Sequence, residues 1–273
     1  MSKKNGQGQS LASTLASVFA SGAILIAFIV SVIVYKYVMG NPVNFEGLNP
    51  EGHPLPGNYL AMIYKGGFIV PLLMTCVLTV LIFTIERAVM LRKARGKGRI
   101  DTFVKGIQGF LATEKIDDAI TACDTQKGSV GNVMKAGLKK YKELKGETTL
   151  DKDQKVLSLQ KDLEESTALE LPMLSKNLVI LSTLASISVL IGLIGTVLGM
   201  IKAFAALATA GSPDALALAT GISEALINTA FGITGSTLAI VFYNYYSNKI
   251  DRLTFKIDEA GFSLVQTFAA FAK

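Results

Sequence analysis

Four stretches of the chain hold no charged side chain: residues 5–35, 66–85, 177–201 and 225–248. Each is long enough to cross a bilayer core as a helix, which takes about 20 residues at about 1.5 Å each. Widened to their apolar flanks, they predict membrane helices over 15–39, 67–91, 177–208 and 217–247. The first run follows Lys3 and Lys4 and superficially resembles a signal peptide. Its apolar stretch is longer than a usual signal core, and Gly40-Asn41-Pro42 is a poor cleavage site, so it reads as a retained helix. The expected fold class is all-α, a polytopic membrane protein with four hydrophobic helices and a cytoplasmic helical extension.

Between the second and third runs, 92–176 reads as amphipathic helices in pieces. Ser129 is placed to cap a helix through Leu144, with Val133, Met134, Leu138 and Tyr141 on one stripe. Asp151 or Asp153 starts a longer helix that carries Val156, Leu159 (or Leu157), Leu163 and Leu169 toward the third run. Pro172 permits a bend there without ending the helix. The tail 248–273 spaces Ile250, Leu253, Ile257, Leu264 and Phe268 as a helical stripe. The 40–66 segment, with Pro42, Pro50, Pro54 and Pro56, is expected to be irregular.

Charge changes the picture by fixing an orientation. The chain is 50% apolar and only 18% charged, against about a quarter in soluble proteins, which excludes a soluble globular enzyme as the main reading. Seventeen Lys and Arg lie in 92–176, whereas 40–66 holds only Lys65 and the 209–216 connection holds none. The positive-inside rule then places 1–14, 92–176 and 248–273 in the cytoplasm, and 40–66 and 209–216 outside. The net charge of +6 comes from interspersed acids and bases without an Arg–aromatic pattern, so the partner it implies is anionic lipid and not nucleic acid. Cys76 and Cys123 fall in different phases and cannot pair, no ligand spacing surrounds them or His53, and no metal or cofactor is implied.

Two ionisable residues interrupt the last two hydrophobic runs, Lys202 and Glu224. A charge at mid-bilayer costs about 2.5–3.5 kcal/mol on insertion scales, so each is a functional candidate. Lys202 lies near the outer end, and two readings stand for it: snorkelling or ion pairing, and a direct part in ion transfer. Glu224 is too short to snorkel far and sits among Thr220, Ser223, Asn228 and Thr229. It reads as a group that takes up and releases a proton, or as one that ties helices together by hydrogen bonds. Gly192, Gly195 and Gly199 on the third run, with Gly232 and Gly235 on the fourth, let the two helices approach closely and favour self-association.

Local strings are more specific than composition. Leu193-Ile194-Gly195-Thr196-Val197-Leu198-Gly199-Met200 and Ile222-Ser223-Glu224-Ala225-Leu226-Ile227-Asn228-Thr229-Ala230-Phe231-Gly232 resemble the two-helix core of the ExbB/TolQ/MotA proton-channel superfamily, closest to the ExbB/TolQ branch. The resemblance covers about Leu181 to Ser247, and Glu86-Arg87 fits the family's first core helix. It implies a homopentamer in the bacterial inner membrane around an ExbD/TolR-like single-pass partner, with a TonB-like protein among the periplasmic targets. It implies a proton pathway through Glu224, Thr229 and Thr196, with Asn228, Ser223, Thr220 and Lys202 as auxiliary groups. Where the family often has proline this chain has Val189 and Leu238, and the first helix is extra to the ExbB core. The expected function is a proton-channel stator subunit. A non-conducting scaffold and a MotA-like motility stator are the alternatives.

Overall fold

The computed structural model describes residues 20–50, 52–209 and 215–271. The 1–14 tail, the onset of the first run, most of the 209–216 connection and the last two residues lie outside the described residues. The described chain is helical, and its only extended pairing is an isolated bridge between Phe45 and Pro54. The helices are α1 (Ala20–Met39), α2 (Tyr59–Tyr64), α3 (Val70–Arg95), α4 (Ile100–Ala112), α5 (Ile116–Gln126), α6 (Gly128–Gly146), α7 (Lys152–Ser175), α8 (Leu178–Thr209) and α9 (Ala215–Phe271). Four of the helical stretches are long and apolar enough to cross a membrane.

The chain divides into two compact units, 1–84 with 179–243, and 85–178 with 244–273. In the first, the most apolar part of α3 is 44% buried, against 22% for α1 and 28% for α8. Val70, Leu73, Val80 and Phe83 of α3 are almost fully enclosed and form the centre of this unit. Leu25 and Ile26 of α1 and Leu193 and Ile201 of α8 stay exposed, as expected of helices that lipid or neighbouring subunits cover.

The described residues of the 40–66 segment form turns and a short helix, contrary to the irregular loop expected from its prolines. Two 3₁₀ turns, Pro42–Asn44 and Glu46–Leu48, fold Phe45 inward until it is 2% exposed. The Asn44 side-chain amide donates to the carbonyls of Val38 and Met39 and accepts from Asn58, which in turn caps α2. Asparagine side chains thus replace the backbone bonds that proline cannot make.

In the second unit, α6 is the central helix. Val133, Met134, Leu138 and Tyr141 are all buried, and Tyr141 meets Phe268 of α9 edge to face at 4.7 Å. Ile250, Leu253, Ile257, Leu264 and Phe268 are buried as their spacing predicts. Gly137 permits the approach, since a Cβ there would lie 2.5 Å from Leu163 and 2.8 Å from Leu264. Asp151 starts α7 with a capping box to Gln154, and Pro172 lies inside that helix without ending it. Two expectations need correction. Ser129 does not cap α6; the helix begins at Gly128 after a left-handed Lys127, and Ser129 is buried inside it. Leu169 and Leu157 are exposed, because the packed stripe of α7 runs through Leu159 and Leu163.

Candidate functional site

The site is built where α8 and α9 face the junction that precedes α3, entirely within the first unit. Glu224 on α9 is only 7% exposed. Its Oε1 lies 2.7 Å from Nζ of Lys202 on α8. The Lys202 ammonium also lies 6.0 Å from the centre of the Phe68 ring. Lys202 and Glu224 thus form an ion pair. A buried carboxylate without a counter-charge would be expensive, and Lys202 supplies that charge while its own side chain stays half exposed.

The other wall of the carboxylate is backbone. Gly67 has φ +78°, and a Cβ placed there would run into Glu224 Oε1. One turn further along α9, Asn228 is fully buried and its Nδ2 donates to the carbonyl of Gly66 at 2.9 Å. The Oδ1 of Asn228 is buried and accepts no hydrogen bond among the described residues. The Gly66-Gly67 junction therefore lies against two consecutive turns of α9 and is bonded to the second through Asn228. Gly195 makes room for the Asn228 side chain, since a Cβ there would stand 2.5 Å from the Asn228 Cβ.

Thr196 and Thr229 meet across α8 and α9 through their hydroxyls. Each hydroxyl also lies within bonding distance of a carbonyl on its own helix, Gly192 at 3.1 Å for Thr196 and Ala225 at 3.2 Å for Thr229. Helix contact is close because Gly192 and Gly232 face one another: a Cβ on Gly192 would be 3.0 Å from the Gly232 Cα. Gly199 lies as tightly against Ala225, and Gly235 faces Ser188. The structure thus brings together Glu224, Lys202, Asn228, Thr196 and Thr229 on the two facing helices. Thr220 is exposed, and Ser223 is half-buried.

Sequence reasoning missed two residues, and for a third, Arg87, it marked the position in Glu86-Arg87 but not the contact. Gly67 is one, although a Gly-Gly pair ahead of an apolar run signals a turn. Tyr35 is the second: its hydroxyl donates to the Tyr64 carbonyl at 3.0 Å and its ring stacks on Tyr64 at 4.7 Å. The extra first helix thereby braces the segment that leads into Gly66-Gly67. A π-helical turn over Val34–Met39 places Tyr35 there, and no sequence signal marks it. Arg87, in the second unit, is the third. It is 1% exposed, grips Glu86 with two guanidinium nitrogens at 2.5 and 2.6 Å, and donates to the Leu174 carbonyl at 3.1 Å. That carbonyl is one of those left unpaired where α7 ends, so Arg87 caps the helix with charge of the favourable sign.

Comparison with known proteins falls on the same helices. Residues 125–259 match the model of the MotA/TolQ/ExbB proton channel family, a segment that includes Lys202, Glu224 and both threonines. The Tol-Pal system protein TolQ of Pseudomonas aeruginosa is 27% identical over 58% of this chain and 68% of its own length. TolQ of Haemophilus influenzae is 39% identical over 31% of this chain and 37% of its own. The biopolymer transport protein ExbB of Salmonella typhimurium is 37% identical over 26% of this chain and 29% of its own. In the last two, the match spans well under half of the relative. Through the helices that pair Lys202 with Glu224 and Thr196 with Thr229, the chain belongs to the MotA/TolQ/ExbB proton channel family, close to its ExbB and TolQ members.

Proposed function

We propose that this chain is the proton-conducting stator subunit of an inner-membrane energy-transducing complex. It works as a homopentamer with an ExbD/TolR-like single-pass partner, and it drives TonB-dependent transport or a related envelope process. The spans are 15–39, 67–91, 177–208 and 217–247, with both termini and 92–176 in the cytoplasm, which the Lys and Arg asymmetry supports. The observation on which this reading rests is the buried Glu224, set between the Lys202 ammonium and the Gly67 backbone and followed along α9 by the Thr196–Thr229 hydroxyl contact.

The chemistry is the exchange of one counter-charge for another. Lys202 neutralises Glu224 in the structure as it stands. A proton that reaches the carboxylate removes that attraction, frees the ammonium to turn to solvent, and leaves a neutral carboxyl that can pass the proton to a carboxylate on the partner helix. Each proton that crosses 100 mV releases about 2.3 kcal/mol, enough to bias a rotation or a partner's conformation.

Glu224→Gln tests the reading. The amide keeps volume and hydrogen bonding but cannot release a proton. The variant should assemble normally, as judged by co-purification with the partner, and abolish the energised process in cells. Full activity in an assembled Glu224→Gln complex would favour a non-conducting scaffold instead.

A further inference from the structure

The second unit contains a groove of about 570 Å³ between the end of α3, the first turn of α4 and the middle of α9. Six cations line it: Arg92, Arg95, Arg99, Lys249, Arg252 and Lys256, against the single acid Asp101. The chain has five arginines and 22 lysines. Four of the five arginines are in this groove, and the fifth is the buried Arg87. Elsewhere on this unit four lysines are matched by acids, among them Lys142 by Asp117 and Lys145 by Glu114. In the groove Lys256 is held by Asp101 and Glu259, and Lys249 sits over the Tyr245 ring. Among the described residues, Arg92, Arg95 and Arg252 form no ion pair with an acid, and Arg99 acts on Asp101 only at longer range, since Asp101 is already bound to Lys256.

Unpaired arginines gathered in one concavity point to a phosphate. Guanidinium forks match phosphate oxygens two at a time, which lysine does not do, and the arginine bias has no use in a merely solvated basic face. The floor is apolar, with Leu91, Leu253 and Tyr246 buried. Along α3, Val89 and Ile85 stay exposed one and two turns before Arg92, on the side of the predicted membrane span. That span ends at 91 and the last one at 247, so the cations begin where the apolar stretches stop. We propose that this groove binds the phosphate headgroup of an anionic phospholipid in the cytoplasmic leaflet, with the acyl chains along the exposed apolar turns of α3. The proposal is independent of proton conduction and asks only that 91 and 247 lie at the membrane surface.

The test is native mass spectrometry of the purified complex after exchange into detergent that carries equal phosphatidylglycerol and phosphatidylcholine. Wild type should retain phosphatidylglycerol at least about tenfold over phosphatidylcholine, and the Arg92→Gln/Arg252→Gln variant should lose most of that preference. Lys139→Gln/Lys152→Gln removes the same charge from exposed positions outside the groove and should keep it. Inorganic phosphate at millimolar concentration should leave the bound lipid in place. Equal retention of the two lipids by wild type, an unchanged preference in the arginine variant, or an equal loss in the lysine variant would overturn the proposal. Displacement by inorganic phosphate would assign the groove to a soluble phosphate compound and overturn the lipid.

Discussion

Lys202 and Glu224 form an ion pair at 2.7 Å whose two ends stand in different surroundings, with 54% of the lysine side chain exposed against 9% of the glutamate. The asymmetry sets which partner depends on the other. Lysine can turn to solvent or snorkel toward the interface when released, whereas the carboxylate has nowhere to go. Removing the lysine should therefore cost more than an exposed ion pair is worth, but less than the 3–5 kcal/mol of a fully buried one. Lys202→Gln should lower stability by about 1–2 kcal/mol. Thermal melting of the solubilised protein reads this, with the exposed Lys139→Gln as reference. A Lys202→Gln/Glu224→Gln double variant should recover much of the loss, because two neutral amides leave no orphaned charge. If Lys202→Gln melts like Lys139→Gln, the pair does not hold the site.

Gly67 is the backbone floor of the same carboxylate, and a matched control exists for it. Gly67 and Gly57 have almost the same left-handed conformation, φ +78° and +79°. A side chain at either is strained by about 1–2 kcal/mol. They differ in what a Cβ meets: the Glu224 carboxylate at Gly67, nothing within 4 Å at Gly57. Gly57→Ala should therefore lose stability and keep energised function, whereas Gly67→Ala should lose stability and function together by displacing Glu224. Melting and the cell-based assay, run on both, separate strain from contact. Equal functional loss in the two variants would assign the effect to strain.

What the sequence could reveal follows from what each feature depends on. The packed stripes of α6 and the end of α9 were legible because burial on one helix face repeats every 3.6 residues. Glu224 and Lys202 stood out because a charge in an apolar run is costly, and the facing glycines because close approach leaves room for nothing larger. Gly67, Tyr35 and the capping contact of Arg87 were not legible. Their partners are the side chain of Glu224 and the carbonyls of Tyr64 and Leu174, and backbone carbonyls leave no trace in a sequence. The turns of the 40–66 segment were hidden for the same reason, since Asn44 bonds to the carbonyls of Val38 and Met39.

The cytoplasmic helices offer a pH-dependent marker of their folding. Burial pushes the Cys123 thiol up to about 12 from an ordinary value of 9.0, with Asp124 adding to the shift. The folded protein thus holds this proton over a range in which the unfolded chain releases it. The contribution to stability is complete below about pH 9 and is lost as pH rises toward 12. At pH 8 the thiolate is scarce and shielded, so iodoacetamide should modify Cys123 slowly in the native protein and readily in denaturant. Peptide mass spectrometry over a time course gives both rates. Native modification as fast as in the denatured chain would mean that α5 and α6 do not bury it.

The Thr196–Thr229 contact makes a prediction that comes from counting hydrogens. Two hydroxyls supply two protons, yet three bonds are within reach: Thr196 to the Gly192 carbonyl, Thr229 to the Ala225 carbonyl, and one between the hydroxyls. Only two can form at once, so the shared bond forms when one hydroxyl leaves its own helix. Either threonine can be the donor, which gives the pair two orientations, as a proton relay beside Glu224 requires. Thr196→Val leaves Thr229 bonded to Ala225, so its stability cost should stay near or below about 1 kcal/mol. Activity should fall by more than that cost explains, but by less than in Glu224→Gln, because water can replace a lost hydroxyl. Since the two residues act as one unit, Thr196→Val/Thr229→Val should be little worse than either single change. The coupled-process assay on the three variants, normalised to assembled complex, decides it. Defects that multiply in the double variant would show two independent hydroxyls and no relay between them.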